Sequence, residues 1–164
     1  MFQNLQLSNL PDYFGVDRAL ACIAAFKIIE NPFEKDLLIA DFGTILSITK
    51  LNSNGSIIGG QLLPGFLTQL KSMEQNTNNL KVPKKYDIPI KDFLINTEEA
   101  ILKGVINSLT GVINSLFNPA KDILVICGGD AELLTKSLNT QKNIINAPDL
   151  VMEGMIIHHL SIKN

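Results

Sequence analysis

The sequence predicts an α/β domain, in which short apolar strands alternate with helices. Two apolar runs, Leu37 to Ala40 and Asp122 to Cys127, are bounded by polar residues or glycine, as expected for strands buried in a sheet. A strongly patterned helix is predicted between them, over about 97–117. The hydrophobic fraction of 46% and the charged fraction of 18% are typical of a globular chain, not of a disordered one.

Composition argues against several classes of partner and location. The 164 residues are enough for one or two small domains, and a net charge of -2 without a basic stripe argues against a nucleic-acid partner. Every apolar run ends well short of the roughly 18 residues of a membrane helix, and no signal peptide is visible at the N-terminus. Cys22 and Cys127 lie in apolar runs without metal-ligand spacing. We therefore expect reduced, buried thiols in a cytoplasmic protein without membrane contact.

Arg18 is the only arginine of the chain, and every other basic residue is a lysine. Its guanidinium can bind a carboxylate or a phosphate with two parallel hydrogen bonds, which a lysine cannot do. The alternative is a structural ion pair with Asp17 or another acid. The residues alone favour neither interpretation.

Arg18 belongs to the segment Gly15 to Arg18, which precedes a predicted buried helix of about three turns ending at Asn31-Pro32. Asp17 stands at the start of this helix, where a carboxylate favours the positive end of the helix dipole. An acid and a base side by side could be a helix cap only. They could equally be a general base beside a carboxylate clamp.

The first buried strand ends in Asp41, within a predicted turn of sequence Asp-Phe-Gly-Thr over 41–44. A carboxylate at the end of a buried strand is costly unless something pairs with it, and Gly43 permits close approach of a ligand. These four residues alone favour an ordinary β-turn. Two further strands are predicted next, over 44–51 and 57–63, with a hairpin turn at 52–55 between them. A helix is predicted after them, over 66–74.

Residues 75–95 are predicted to be a loop, and the helix after them carries a capping box with Asn96 as N-cap and Glu99 three residues on. The hexapeptide Gly-Val-Ile-Asn-Ser-Leu occurs twice in this helix, at 104–109 and 111–116. We expect one face of this helix to contact the sheet and another to contact a second subunit, with Val105 and Val112 at the subunit interface. Gly104 and Gly111 would permit close approach of another backbone.

The second buried strand runs into Gly128-Gly129-Asp130 and a predicted helix over 131–138. A strand, two glycines and a helix start together form a possible anion or nucleotide site, although Gly-Gly turns are common. A polar stretch over 139–146 and a last helix over about 149–160 complete the chain.

Taken in order, these motifs resemble the C-terminal two-thirds of a type III pantothenate kinase, from about Asn9 to Asn164. The ordered motifs are Gly-x-Asp-Arg before a helix, Asp-x-Gly-Thr after a strand, Gly-Gly-x-x-x-Pro-Gly, Asn-Thr, a Gly-Gly junction and Pro-Asp-Leu-x-x-Glu-Gly. The resemblance implies an actin/hexokinase/Hsp70-like ATPase fold, also called ribonuclease H-like, with a mixed sheet flanked by helices. It divides the chain into residues 1–30, with the substrate-binding turn and its helix, and 31–164, the C-terminal lobe.

The resemblance also implies a substrate site for pantothenate. Gly15, Val16, Asp17 and Arg18 match the pantothenate-binding turn of the family, with Asp17 as the general base and Arg18 as the clamp for the substrate carboxylate. Thr97 matches a substrate contact. The implied reaction is phosphorylation of pantothenate to 4'-phosphopantothenate, the first step of coenzyme A biosynthesis.

On the ATP side, the resemblance assigns Asp41 as ligand of a monovalent cation, either K⁺ or NH₄⁺. Thr44 matches a phosphate contact, and Gly43, Gly128 and Gly129 are expected to let the nucleotide approach the backbone. Mg²⁺ would accompany ATP. A homodimer through residues 97–117 is the expected assembly.

Members of the family begin with an Asp-x-Gly-Asn-Thr phosphate loop in a first lobe, and this sequence has no such loop. We therefore expect the N-terminal lobe to be absent and this chain alone to have little kinase activity. Two other hypotheses are a non-catalytic dimeric remnant, acting as a binding or regulatory protein, and an unrelated small α/β domain.

Overall fold

The computed structural model describes residues 14–29 and 35–162, and the secondary structure of these residues comprises five strands and five helices. The helices are α1 (Val16–Ile28), α2 (Phe66–Gln75), α3 (Thr97–Leu116), α4 (Ala131–Thr135) and α5 (Leu150–Ile162). The strands are β1 (Asp36–Phe42), β2 (Ile45–Leu51), β3 (Ile57–Pro64), β4 (Asp122–Cys127) and β5 (Ile144–Asn146).

The strands form one mixed sheet in the order β3-β2-β1-β4-β5. β1 pairs antiparallel with β2 and parallel with β4, so that Asp41 lies opposite Ser47 on one side and Cys127 on the other. β2 and β3 form a hairpin, and β5 extends the parallel half of the sheet. This topology confirms the predicted ribonuclease H-like arrangement of a mixed sheet flanked by helices.

Helices cover both faces of the sheet, and each face has its own apolar core. On one face, Leu38, Ala40 and Phe42 of β1 belong to a core with α2, α3 and α4. On the other face, Leu37 and Ile39 belong to a core with α1 and Leu150 of α5. Because side chains alternate along a strand, Asp41 falls on the same face as α1.

Two acids at the starts of neighbouring strands are paired with one lysine. Asp122 is buried, and its Oδ1 accepts a hydrogen bond from Lys50 Nζ at 2.9 Å while its Oδ2 accepts one from the Asn118 backbone N–H at 2.9 Å. Lys50 Nζ also lies 3.4 Å from Asp36 Oδ2. These contacts satisfy a buried carboxylate and join β1, β2 and β4 at the end of the sheet remote from Asp41.

Several predicted boundaries were wrong. Val16 to Arg18 do not precede the first helix but form its first turn, with Gly15 as N-cap, and Asp41 and Phe42 belong to β1 rather than to a turn. The helix after Gly128-Gly129 is only five residues long, and β5 lies in the polar stretch over 139–146, where no strand was predicted. The lead-in over 1–13 and the helix end at Asn31-Pro32 fall outside the described residues.

The predicted cap of α3 is confirmed, because Asn96 Oδ1 accepts the Glu99 backbone N–H at 3.1 Å. Val105 is buried against the sheet of its own chain, so the apolar face of α3 is not a free surface. Gly104 and Gly111 are exposed, and a Cβ atom at either position would have no neighbour within 4 Å. Residues 76–96 contain no helix or strand, and no helix within the described ranges is long and apolar enough to span a bilayer.

Candidate functional site

Predicted site residues from α1, β1 and the turn after it line one cavity at the end of the sheet. The cavity measures about 400 Å³ and lies where β1 ends and α1 begins. Its lining consists of Gly15, Val16, Asp17, Arg18, Asp41, Gly43, Thr44, Ile45, Ser47 and Leu62. Seven of these ten residues were predicted from the sequence, although they come from segments more than 20 positions apart.

A second cavity of about 250 Å³ adjoins the first and shares Gly43 and Thr44 with it. Gly129 and Asp130 line this second cavity together with Thr68 and Lys71 of α2. The two cavities therefore meet at the turn after β1. A lysine and a threonine in the second cavity are groups that can bind phosphate oxygens.

Gly128 lies behind Asp41 and not in either cavity lining. Its φ angle is +93°, and a Cβ atom there would lie 2.5 Å from Asp41 Oδ1 and 2.5 Å from the Phe42 carbonyl carbon. Only glycine combines this backbone conformation with this close approach. Gly128 therefore fixes how tightly β4 packs against Asp41.

Thr97 is the second predicted site residue, after Gly128, that lies outside both cavity linings. It is the exposed first residue of α3 and lines neither of them. A larger cavity of about 740 Å³ lies beside the start of α3 and is lined by residues between Lys85 and Leu102. No predicted site residue lines that cavity, so its size is no argument for a functional site there.

Asp41 is half-buried among polar groups that act on its carboxyl in opposite directions. Burial raises the pKa of the Asp41 carboxyl above its ordinary value, and the negative charge of Asp17 raises it further. A hydrogen bond with the Cys127 thiol opposes this rise in pKa. Asp17 and Asp41 line the same cavity, and the effect of Asp17 on this pKa shows that the two negative charges repel each other there.

Arg18 is positioned by a hydroxyl and an aromatic ring. Its Nε and Nη2 donate hydrogen bonds to Thr49 Oγ1 at 3.2 Å and 3.1 Å, and its Cζ lies 4.2 Å from the centre of the Phe14 ring. Among the described residues Arg18 forms no ion pair with Asp17 or another acid. The guanidinium therefore keeps its charge available at the cavity.

The turn after β1 is held by backbone groups. The Thr44 carbonyl accepts hydrogen bonds from the Gly65 N–H at 2.9 Å and from the Thr68 hydroxyl at 2.7 Å. The Thr44 side chain itself is exposed. The Asp130 N–H donates to the Phe42 carbonyl at 3.1 Å. The Gly128-Gly129-Asp130 junction thus uses the Asp130 N–H to hold β1, so that this N–H does not remain available to an anion.

The two thiols are free and buried, as predicted. Burial raises the pKa of both Cys22 and Cys127 to about 12, with the charge of Asp41 adding to the rise at Cys127. Such thiols are poor nucleophiles and poor metal ligands at neutral pH. Within the residues that the structure describes, no three His, Cys, Asp or Glu side chains are grouped to hold a metal ion.

The sequence model of one protein family, type III pantothenate kinase, matches residues 4–119. The chain belongs to the type III pantothenate kinase family. All residues that line the two cavities lie within the matched range, except for Gly129 and Asp130.

Curated members of the type III pantothenate kinase family are similar to most of this chain. The relative from Porphyromonas gingivalis is 29% identical over 148 residues, and the alignment covers 86% of this chain and 59% of the relative. The relative from Pseudoalteromonas translucida is 32% identical over 145 residues, covering 86% and 58%. The relative from Synechocystis is 29% identical over 169 residues, covering 96% and 64%. The chain thus spans less than two thirds of the length of these relatives.

A solved structure shares the fold. It is a protein from Campylobacter jejuni described as a conserved Baf family transcriptional activator, with a TM-score of 0.69 and 24% sequence identity. The superposition covers 98% of this chain and 69% of that one. At 24% identity, this similarity establishes that the two proteins share a fold. It does not establish the activity of this chain.

Sequence reasoning missed Ile45, Ser47 and Leu62 of the first cavity lining, as well as residues that hold Arg18 or line the second cavity. Thr49 and Phe14 hold Arg18, and Thr68 and Lys71 line the second cavity. A threonine in a strand is an ordinary β-former, so Thr49 carries no local signal. The one available signal was the single arginine, which could have prompted a search for its partners.

Proposed function

We propose that the chain acts in the ATP-dependent phosphorylation of pantothenate to 4'-phosphopantothenate, the first step of coenzyme A biosynthesis. The observation that carries this proposal is the convergence of Asp17, Arg18, Asp41 and Thr44 on one cavity in a member of the family. A base, a cation, a second carboxylate and a turn that can approach phosphate are the parts that transfer of a phosphoryl group to an alcohol requires.

Asp17 is the proposed general base. It is exposed in the first turn of α1 and lines the larger cavity. Its carboxylate accepts the proton of the substrate hydroxyl as that oxygen forms a bond to the γ-phosphorus of ATP, and the bond from this phosphorus to the bridging oxygen of ADP breaks. The reaction then leaves a protonated Asp17, a phosphate ester and ADP.

Arg18 is the proposed clamp for the carboxylate of pantothenate. Gly15 and Val16 precede it in the same cavity wall, where the N-terminal end of α1 adds a positive partial charge. A bidentate contact fixes both the position and the orientation of the substrate, so that its hydroxyl can lie near Asp17.

Asp41 fits the proposed K⁺ or NH₄⁺ site. Its half-buried carboxyl is raised in pKa by burial and by the charge of Asp17, and a cation is the group that would relieve both effects. When bound, such a cation supplies positive charge beside the phosphates. The Asp41 carboxylate, together with hydroxyl and backbone oxygens, provides oxygen ligands of the kind that a monovalent cation binds.

Thr44, Gly43 and Gly129 are the proposed contacts for the phosphates of ATP, which Mg²⁺ would accompany, because Gly43 and Thr44 line both cavities and Gly129 lines the second. Gly128 supports them by allowing β4 to approach Asp41. The role of Thr97 as a substrate contact, the division at residues 30 and 31, and the cytoplasmic location stay predictions.

A homodimer through residues 97–117 also stays a prediction. In the structure the exposed side of α3 carries Gly104, Asn107, Gly111 and Ser115. A contact through this helix would therefore use small and polar residues, since Val105 is buried in the core of its own chain.

The test measures binding and turnover separately, since the chain spans 59% of the length of the Porphyromonas relative. Pantothenate binding is measured by calorimetry, and phosphorylation is measured with radiolabelled pantothenate, ATP, Mg²⁺ and K⁺. Asp17→Asn should lower turnover by roughly 10²–10⁴-fold and leave pantothenate affinity within a few fold, because it removes the base and keeps the shape.

The control is Asp149→Asn, which removes an exposed carboxylate outside both cavities and should change neither quantity. Pantothenate binding with a residual turnover that Asp17→Asn leaves unchanged would favour the alternative, a non-catalytic binding or regulatory protein, since little turnover is already expected of this chain alone. An absence of pantothenate binding would overturn both.

A further inference from the structure

The guanidinium of Arg18 is held along one edge only. Nε and Nη2, which form that edge, both donate to the hydroxyl of Thr49. A guanidinium has five N–H donors in a fixed plane, so this contact leaves three donors for other partners. Arg18 also lines the 400 Å³ cavity, where those remaining donors can meet a ligand.

Thr49 is fixed in the middle of the sheet. It is 2% exposed, and its backbone lies opposite Ile39 of β1 and Gly60 of β3. Its hydroxyl is also hydrogen-bonded to the buried thiol of Cys22. Since the strand and the β-branched side chain leave it little freedom, the position of this hydroxyl is set before any ligand binds.

Two further groups lie against the guanidinium of Arg18. The Phe14 ring covers one face of the plane. A Cβ atom at Gly60 would lie 2.7 Å from Arg18 Nη2, so the backbone of β3 lies directly against that nitrogen. Thr49 and Phe14 thus leave the two N–H groups of Nη1 and the second N–H of Nη2 as the donors that can meet a ligand in the cavity, while Gly60 confines Nη2.

We propose that Thr49 is a positioning residue, which holds the Nε–Nη2 edge of the Arg18 guanidinium so that its free donors, at the end that carries Nη1, are presented to a carboxylate ligand in the cavity. The inference rests on the proposed role of Arg18 in holding the carboxylate of pantothenate. Without the Thr49 hydroxyl, the long arginine side chain regains rotational freedom that each bound ligand must then restrict. Thr49 therefore sets the preference of the cavity for a charged carboxylate over a neutral group of similar shape.

The first measurement does not depend on function. Because Arg18 is the only arginine, its Nε–H gives the only arginine Nε signal in a proton–nitrogen correlation spectrum of the uniformly ¹⁵N-labelled protein. A hydrogen bond to Thr49 protects this proton from exchange with water. Thr49→Val should accelerate its exchange by about 10-fold, whereas Thr49→Ser, which restores a hydroxyl, should keep the slow rate.

The second measurement compares two ligands by calorimetry. Pantothenate carries a carboxylate, and pantothenol carries a neutral hydroxymethyl group in its place. Thr49→Val should weaken pantothenate binding by about 10-fold and leave pantothenol binding unchanged, because a well-placed charged hydrogen bond is worth about that factor. Thr49→Ser should restore most of the pantothenate affinity.

Thr110→Val is the matched control. Thr110 is also buried, but its hydroxyl donates to the Ile106 carbonyl within α3, remote from Arg18. This variant should alter neither the Nε–H exchange nor the ratio of the two affinities, and circular dichroism of all three variants checks that they fold.

Two results would overturn the proposal. An unchanged Nε–H exchange rate in Thr49→Val would show that Thr49 does not hold Arg18, and an equal loss of affinity for both ligands would show an effect on packing only. If the unmodified chain binds neither ligand, the proposed function and the carboxylate preference fail together. The exchange rate then still decides whether Thr49 holds Arg18.

Discussion

The two walls of the candidate cavity are positioned by different kinds of contact. The helix wall, formed by Gly15, Val16, Asp17 and Arg18, depends on side chains. Arg18 is placed by the Thr49 hydroxyl and the Phe14 ring, and neither contact involves the backbone of α1.

The turn wall, formed by Asp41, Gly43 and Thr44, depends on the backbone. The Thr44 carbonyl accepts two hydrogen bonds, and Gly65 and Gly128 approach the turn so closely that neither position has room for a Cβ atom. The backbone of the turn wall is thus packed tightly against neighbouring segments. The side chains of the helix wall, in contrast, can be substituted without displacing the strands. Substitutions in the turn wall should therefore cost stability, and substitutions in the helix wall should cost binding.

The largest effect is expected at Gly128. Gly128→Ala should lower the free energy of unfolding by about 3 kcal/mol or more, because it adds a Cβ atom 2.5 Å from Asp41 and strains a backbone with φ +93°. Urea denaturation measures this change. Gly129→Ala is the control, since a Cβ atom there would have no neighbour within 4 Å, and similar losses in both variants would contradict the backbone role of the turn wall.

The second effect concerns the helix wall. Arg18→Lys should weaken pantothenate binding by about 10-fold, because an ammonium cannot form the two parallel hydrogen bonds of a guanidinium. Its free energy of unfolding should change by less than about 1 kcal/mol, as for most surface substitutions. Equal affinity of the two proteins in calorimetry would remove Arg18 from the carboxylate site.

A smaller effect is expected for glycines that lie outside both walls. Gly104→Ala and Gly111→Ala should each raise the free energy of unfolding by roughly 0.5–1 kcal/mol, because both positions are open and alanine favours a helix. Gly154→Ala is the contrasting control, since a Cβ atom there would meet the Leu20 backbone and should destabilise the chain. Destabilisation by Gly104→Ala or Gly111→Ala would instead indicate a second subunit against α3.

The smallest effect is a pH dependence at Asp41. Its pKa is raised in the folded chain, so the folded state holds the proton more tightly than the unfolded state does. The stability that this proton contributes is present at low pH and is lost as the pH rises above the ordinary carboxyl range. The stability of Asp41→Asn relative to the unmodified chain should therefore increase between about pH 3 and pH 7.

Two variants sharpen the Asp41 measurement. Asp17→Asn should flatten part of the pH difference, because the charge of Asp17 contributes to the shift, whereas Asp130→Asn should leave the difference intact. Adding KCl in place of choline chloride should stabilise the unmodified chain more than Asp41→Asn if Asp41 binds K⁺. A pH-independent difference between the two chains would contradict the environment described for this carboxyl.

Much of the fold was predictable because its signals are local. The apolar run of β1, the hairpin at Asn52 to Gly55 and the Asn96 cap each depend on a few neighbouring residues, and each was found where expected. β5 was missed because it has three residues and is fixed only by its parallel pairing with β4. A polar context and a short length hide such a strand from any local pattern.

The candidate site was predictable as a set of residues but not as a set of contacts. Asp17, Arg18 and Asp41 were selected by the resemblance to the family, because the residues alone left Arg18 undecided and favoured an ordinary turn at Asp41. The partners of Arg18 come from Phe14 and from Thr49, 31 positions away, and only the sheet register brings Thr49 beneath α1. Even the tight approach of Gly128 depends on the parallel pairing of β1 and β4.

The two outer strands of the sheet, β3 and β5, affect how readily the protein aggregates at high concentration. A long, flat outer strand offers unpaired backbone groups on which a second chain can add, and this is a common route to aggregation. Among the described strands, β5 is too short for such growth, and β3 follows a break in register beside Lys50 and ends in Pro64. These features oppose strand-by-strand aggregation even though Ile58 and Leu62 of β3 are largely exposed to water.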